Sequence, residues 1–377
     1  MIGKDKPISI LIPDGESHLL IFVVNCFSGI KGIRIYVMSD EPRVAMRFSR
    51  YVYNFSFYPK TKNKVDWISN LNKELEKFPI DVILPIFEIG IRNLIAHKDL
   101  LKYPEKLVAL PNLTDFDSAI DKWSLFKHMD KMGIPCPETN LVCFDNDSQL
   151  IDYPFIVKPT KGFGGGMGVI LIHNNEDWGH FIKQNTIIGV KYLTQKYIKG
   201  DDYCCNVLCL NGDIKYYTIQ KGIRWGANRF SAQTGYIFIR QNDILSIATK
   251  LMRSLNWSGV ACIDLKYDEQ QKIFKVIEIN TRYWSSLMGS LAAGINFPLL
   301  SIGIHLNNYE GKGEFNVIEY LNLKGMLNYL KEDLTRTFHF SYIWNNSPLK
   351  YALKDPIPMI YKLISRTKNI LLKKLRR

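Results

Sequence analysis

Two acids set inside otherwise apolar strands are the residues here whose type and spacing most invite chemistry. Gly259–Lys266 (GVACIDLK) and Phe274–Asn280 (FKVIEIN) read as β-strands, each interrupted by one carboxylate, Asp264 and Glu278. Asn280 follows Glu278 by two residues, so strand alternation puts the pair on one face. A bare carboxylate in a buried strand costs several kcal/mol, so such acids need a partner. Two carboxylates and an amide oxygen suit a hard divalent cation, which takes oxygen ligands. Acids bridged by lysines for purely structural reasons are the alternative.

A second chemical stretch is Tyr153–Gly168, YPFIVKPTKGFGGGMG. Phe155-Ile156-Val157 reads as a buried strand closed by Lys158, and Val169–Ile172 reads as the next strand. Between them lie Gly162, Gly164, Gly165, Gly166 and Gly168, five glycines in seven residues. Without Cβ atoms, that loop lets backbone N–H groups approach a bulky anion, and Lys158 adds a positive charge. The natural guest is a nucleotide polyphosphate; a plain flexible hairpin tip is the other reading. Neither a G-x-x-x-x-G-K-[ST] loop nor a dinucleotide fingerprint is present, so the stretch reads as a flap folding over phosphates.

These groups must be positioned by an α/β framework. Strand Ile8–Ile12, a helix over Ser17–Phe27, strand Gly32–Met38, a helix over Val65–Phe78, strand Asp81–Pro85 and a helix near Glu88–His97 alternate. That alternation implies a parallel sheet, which binds ligands beyond its strand C-termini, where Asp14, Asp40 and Phe87-Glu88 stand. Ordinary strand-end turns are the alternative. Past Asn112 a helix bearing Trp123, Phe126, Met129 and Met132 is closed by Gly133, with Lys122 near its start. A helix over Trp178–Asn185 follows the glycine loop. Tyr192–Leu210 then reads as strand, turn at Lys199-Gly200, strand. Gln195–Ile198 would offer extended backbone to an adenine edge, and Asp202 a carboxylate to ribose hydroxyls.

Composition bounds the class. The 377 residues can bury a sizeable core, with 46% hydrophobic and 12% aromatic residues and no low-complexity tract. A net charge of +13 favours anionic ligands, membrane surfaces or nucleic acid without choosing among them. The seven cysteines are scattered without a C-x-x-C pair, which fits a reducing compartment and neither a zinc site nor a disulfide scaffold. The start lacks a signal-peptide layout, and the expected location is cytoplasmic.

Lys122 in a D-K-W helix ending GIPCPET, Lys158 before a glycine flap, Gln195-Lys196-Tyr197-Ile198 with Asp202, and Asp264…Glu278-x-Asn280-x-Arg282 occur in that order. Together they resemble the ATP-grasp superfamily, which includes D-alanine–D-alanine ligase, biotin carboxylase and carbamoyl-phosphate synthetase. The resemblance covers roughly residues 113–310. It implies a mixed α/β and α+β fold: a Rossmann-like pre-ATP-grasp lobe over 1–112, an ATP-grasp domain over 113–310 and a short helical C-terminal extension over 311–377. It further implies that Lys122 and Lys158 contact the α- and β-phosphates and that the flap Lys161–Gly168 closes over ATP. Gln195, Tyr197 and Ile198 would form the adenine hinge, with Asp202 on the ribose. Asp264, Glu278 and Asn280 would hold two Mg²⁺ ions, with Mn²⁺ as a substitute. Arg282 would lie near the transferred phosphate and the substrate carboxylate, with Lys221 and Arg224 as weaker γ-phosphate contacts. Three positions depart from the pattern: Asp202 in place of a glutamate, Lys196 where an acid is common and Thr281 where proline is common.

The activity implied is that of a carboxylate–amine ligase, in which an acyl phosphate made from ATP is attacked by an amine. Small carboxylate and amine substrates follow, with cell-wall or surface-polysaccharide precursors as one setting. Tyr283-Trp284-Ser285-Ser286 and Arg229 are expected at the acceptor pocket, although packing is the plainer reading of that aromatic pair. A non-catalytic ATP-binding or regulatory protein of the same fold is the alternative. A nucleic-acid partner is not expected, since the charge is dispersed and no recognised motif is present. The exception is the tail: residues 358–377 carry seven cations and no acid, with apolar residues near helical spacing. It suits peripheral contact with the inner face of a membrane, or docking on the body with its charged side in water. A homodimer stays open.

Overall fold

The computed structural model describes residues 6–142, 151–162, 168–184, 190–226, 231–307 and 313–365. The glycines 164, 165 and 166 of the flap, Arg229 and the tail beyond 365 lie outside the described residues. The chain folds as two compact units. One gathers Met1–Leu110, Arg282–Asn316 and Tyr320–Arg377; the other gathers Pro111–Thr281 and Val317–Glu319. Residues 282–316 therefore group with the N-terminal residues, as does the C-terminal helical segment, where three successive segments divided near 112 and 310 were expected.

The first unit is built on a parallel sheet of β1 (Ile8–Ile12), β2 (Ile33–Ser39), β3 (Val52–Phe57) and β4 (Val82–Ile83), in the order β3-β2-β1-β4. Every residue of β1 is buried, as befits a strand covered on both faces. The edge strand β3 escaped the sequence reading: its half-buried residues carry no continuous apolar run to mark it. Leu11, Tyr36 and Met38 of the sheet pack with Ile68, Leu71 and Leu94 of the flanking helices Lys64–Lys77 and Glu88–Ala96. Gly15 is required at the end of β1, because a Cβ there would lie 2.4 Å from Val37 Cγ1 and 2.8 Å from the Met38 carbonyl oxygen.

The second unit holds two sheets. A smaller antiparallel one joins β5 (Thr139–Leu141), β6 (Phe155–Pro159), β7 (Ile170–Ile172) and β8 (Tyr192–Lys196) in the order β5-β8-β6-β7. The larger comprises β9 (Asp202–Leu210), β10 (Asp213–Arg224), β11 (Gly235–Phe238), β12 (Gly259–Asp268), β13 (Ile273–Asn280) and β14 (Glu319–Leu321), ordered β13-β12-β9-β10-β11-β14. The one helix expected after Asn112 is two, Leu113–Ile120 and Lys122–Lys131. Asp121 breaks them by taking extended backbone, and its carboxylate caps the second helix by accepting from Ser124 N–H at 2.8 Å. Lys122 thereby becomes the first residue of a capped helix. The architecture is the mixed α/β and α+β fold expected.

Candidate active site

Strand register decides which side chains of the larger sheet share a face. Asp264 stands opposite Cys204 of β9 on one side and Glu278 of β13 on the other; Cys262 stands opposite Asn206 and Asn280. With alternate residues on one face, Cys204, Asn206, Cys262, Asp264, Glu278 and Asn280 form a continuous polar floor. The Asn280 amide donates to Asp264 Oδ2 at 2.9 Å, which turns its own oxygen away from that carboxylate. Two carboxylates and an amide oxygen on one surface fit Mg²⁺, and these three residues could hold it.

Sequence reasoning overlooked the cysteines of this floor. Cys204 Sγ lies 3.0 Å from Asp264 Oδ1 and Cys262 Sγ 3.6 Å from the same oxygen. The three ligand atoms fall within 4.8 Å of one another, so two thiols absent from any C-x-x-C spacing converge across neighbouring strands. The only local signal was Cys262, two residues before the strand acid; Cys204 reaches it through strand pairing alone.

The lysines approach the floor from the smaller sheet. Lys122 N–H donates to the Thr160 carbonyl at 2.9 Å, tying the helix start to the end of β6, and its ammonium sits 3.5 Å from Glu278. Lys158 is buried in β6. Burial pushes its pKa down to about 8, with Lys122 adding to the effect while Glu278 and Asp264 oppose it. Such a lysine is ready for an anion. Lys161, mostly exposed, lies 3.9 Å from Asp121. Gly162 has φ +84° and open space where a Cβ would be, and Gly168 has φ +77°. Both glycines thus hold left-handed conformations that other residues adopt at a cost.

The expected nucleotide contacts fall differently. Gln195 in β8 is buried, and its amide donates to Thr139 Oγ1 at 3.0 Å, so only its backbone could meet a base. Ile198 is buried and Tyr197 half-buried just beyond that strand. The Asp202 carboxylate is already engaged, 2.6 Å from Lys266 and 3.1 Å from the donating Trp225 Nε1. Lys221 is not brought to the floor. It pairs in register with Tyr203, odd where the floor residues of β9 are even, and its ammonium forms an ion pair with Asp201. Arg224 lies past an irregularity in the pairing of β10, at that strand's end.

The first unit contributes its own polar group at the carboxyl ends of β1 and β4. Asp14, fully buried, accepts from the N–H groups of Ile86 and Phe87, at 3.0 Å and 2.6 Å for one oxygen. Burial drives its pKa up to about 8 despite those donors. Gly90 leaves room for it: a Cβ there would come 2.8 Å from Asp14 Oδ2. Arg282 reaches the same region, with Nε 3.7 Å from Glu88 and its guanidinium over the Phe87 ring at 5.6 Å. His18 meets Phe87 edge-on at 5.8 Å, and its pKa is lowered by burial, then by Arg282 and Lys362. The Glu16 pKa is raised, by burial first and by Asp40 as well, and its carboxylate accepts from Ser39 Oγ at 3.3 Å. Glu16 and His18 were missed in the sequence, although they adjoin the strand-end turn at Asp14. Tyr283 and Trp284, by contrast, are buried: the tyrosine hydroxyl bonds Ser301 at 3.2 Å and the indole packs on Phe297. Packing is therefore what the aromatic pair does.

Comparison with known proteins agrees with this geometry. Residues 119–286 match the family model described as ATP-grasp domain. D-alanine–D-alanine ligase of Petrotoga mobilis is 29% identical over 210 residues, covering 50% of this chain and 65% of the relative. The D-alanine–D-alanine ligase of Anaplasma marginale (strain Florida) is 24% identical over 46% of this chain and 57% of its own. The chain thus spans less than two thirds of the length of these relatives. Among solved structures, the L-amino acid ligase of Bacillus licheniformis superposes with a TM-score of 0.62 at 18% identity, covering 83% of this chain and 78% of that one. N5-carboxyaminoimidazole synthetase of Staphylococcus aureus complexed with ADP gives 0.65 at 16% identity, covering 87% of each. At such identities these structures establish the fold.

Proposed function

Because residues 119–286 form an ATP-grasp domain, we propose that the chain is an ATP-dependent carboxylate–amine ligase making an amide through an acyl phosphate. The observation that carries this is the joint placement of Lys122, Lys158, Asp264, Glu278 and Asn280: lysines for phosphate oxygens beside an oxygen-rich floor for cations. Two Mg²⁺ ions held by Asp264, Glu278 and Asn280 would neutralise the phosphate charge that builds up in transfer. Lys122 and Lys158 would position the α- and β-phosphates, and the stretch around Gly162 and Gly168 would cover the nucleotide and keep water out. Gln195, Tyr197 and Ile198 would meet the base, while Asp202 would reach the ribose only if its bonds to Lys266 and Trp225 rearranged.

Arg282 pairs with Glu88 and lies over the Phe87 ring. Its guanidinium suits a substrate carboxylate. Beside it Glu88 supplies negative charge, Glu16 adds another at the end of the same sheet, and the lowered pKa of His18 keeps that ring uncharged near neutral pH. That balance suits an ammonium group, and with Arg282 it describes an amino-acid substrate. Involvement in cell-wall or polysaccharide precursors is compatible with this chemistry.

The test is ADP release from Mg-ATP across paired amino acids and sugar acids, beside Glu278→Ala. Turnover that requires both a carboxylate and an amine and vanishes in the variant is the expected result. Tight Mg-ATP binding with no turnover on any pair would favour the non-catalytic reading.

A further inference from the structure

Charge and apolar surface are both concentrated at one end of this chain. From Leu323 to Arg377 there are 12 basic and three acidic residues; six of the basic residues and all three acids fall in 323–365, a balance of +3 there, and the other six cations lie beyond the described residues. The described part of that stretch, 323–365, also holds 11 of the 22 exposed large hydrophobic residues among the described residues. Leu334 is 76% exposed, Phe338 82% and Phe340 75%, all in or beside the single turn Leu334–Phe338 that joins helices Leu323–Glu332 and Phe340–Asn345. Ile357, Leu363 and Ile364 of the helical residues 357–365 are more than half exposed as well.

This is not a segment that failed to fold. Asn322 caps the first helix, and Leu321, Met326 and Ile343 form a small core. Asp355 is buried against Ser49 and Arg50, and Tyr361 packs on Phe48 at 4.8 Å, so the segment is anchored to the N-terminal part of its own unit. The acids are all committed: Asp355 to that anchor, Glu332 and Asp333 to Arg336. What faces outward is aliphatic and aromatic surface, with Lys324, Lys331 and Lys354 exposed in the same segment. An apolar patch of this kind on a soluble body marks an interaction site.

We propose that the segment 323–365 docks on an anionic lipid surface, inserting Leu334, Phe338 and Phe340 at the headgroup level while the lysines pair with lipid charges. The charge pattern selects the occupant. A second copy would bring an equally cationic patch against this one, which repels. Nucleic acid would match the charge and could stack on Phe338 and Phe340, but it gives the exposed aliphatic Leu334, Leu353, Ile357, Leu363 and Ile364 no apolar medium to bury in. Apolar side chains amid lysines on an anchored platform are what interfacial binding requires. The inference does not depend on the ligase reading. If both hold, the ligase works beside lipid.

Flotation of the full chain with phosphatidylcholine vesicles, with and without phosphatidylglycerol, tests this. The protein should float with the anionic vesicles, hardly at all with neutral ones, and less as salt rises. Phe338→Ser with Phe340→Ser should lower the partition coefficient roughly tenfold per ring removed, and Lys331→Gln or Lys354→Gln roughly fivefold each. The far-ultraviolet circular dichroism and thermal unfolding midpoint of the same variants should be unchanged, which shows that they fold. No flotation with anionic vesicles, or equal flotation by the double variant, would overturn the proposal. So would a dimer, or a complex with an oligonucleotide, that the same variants dissolve while vesicles are ignored.

Discussion

The polar floor of the larger sheet and the polar group at the ends of β1 and β4 differ in the sign of what they lack. On the floor, Lys122 and buried Lys158 stand beside Asp264 and Glu278, a set that phosphates and divalent cations would complete under the proposed function. At the strand ends, Glu88 and a His18 whose pKa is lowered lie by Arg282, while Glu16 adjoins a buried Asp14 whose pKa is raised to about 8. Under the proposed function, that set would be completed by a molecule carrying one carboxylate and one ammonium. The first region would then hold the nucleotide and its cations, and the second would select the substrate.

The contrast breaks most visibly at Glu278. Glu278→Ala should cut turnover by roughly 10³-fold and weaken Mg-dependent nucleotide binding. Arg282→Ala should also lower kcat, by ~10²-fold, yet leave Mg-ATP affinity nearly unchanged. Equal losses of nucleotide affinity in the two variants, read by calorimetry, would erase the distinction between the regions. Glu16→Gln and Glu88→Gln should act more gently, each raising the KM of the amine-bearing substrate about tenfold with kcat preserved. An unchanged KM in both would remove the ammonium site.

The smallest effect concerns protons. The Lys158 pKa is about 8, below the ordinary 10.5, because its charged form is buried. Between those values the unfolded chain holds the proton and the folded chain does not, so this lysine makes stability rise with pH across the window. Phosphate favours the charged form. Nucleotide binding in that window should therefore take up a proton, and affinity should fall as pH rises past about 8. Calorimetry in buffers of different ionisation heat measures this, and proton release on binding would contradict the role given to Lys158.

Much of the floor was legible in the sequence because strand periodicity and buried charge are local signals. Glu278 and Asn280 sit two apart, Asp264 interrupts an apolar run, and Lys158 closes a strand before glycines. What resisted was set by pairing between distant segments. Nothing local places Cys204 and Cys262 against Asp264, and only the register with Tyr203 turns Lys221 to the far face. Likewise, β3 has no marked apolar run, and Asp121 splits a helix that looked continuous. Glu16 and His18 were hidden for another reason. They lie in a turn, where charged residues are ordinary until the fold gathers them.

The most direct test of the central claim follows an oxygen atom. With a carboxylate substrate labelled with oxygen-18 and its amine partner, an acyl phosphate must leave a labelled oxygen in the inorganic phosphate released. The account predicts that transfer in step with amide formation, and its absence in Glu278→Ala. Amide and ADP formed without label in the phosphate would contradict it.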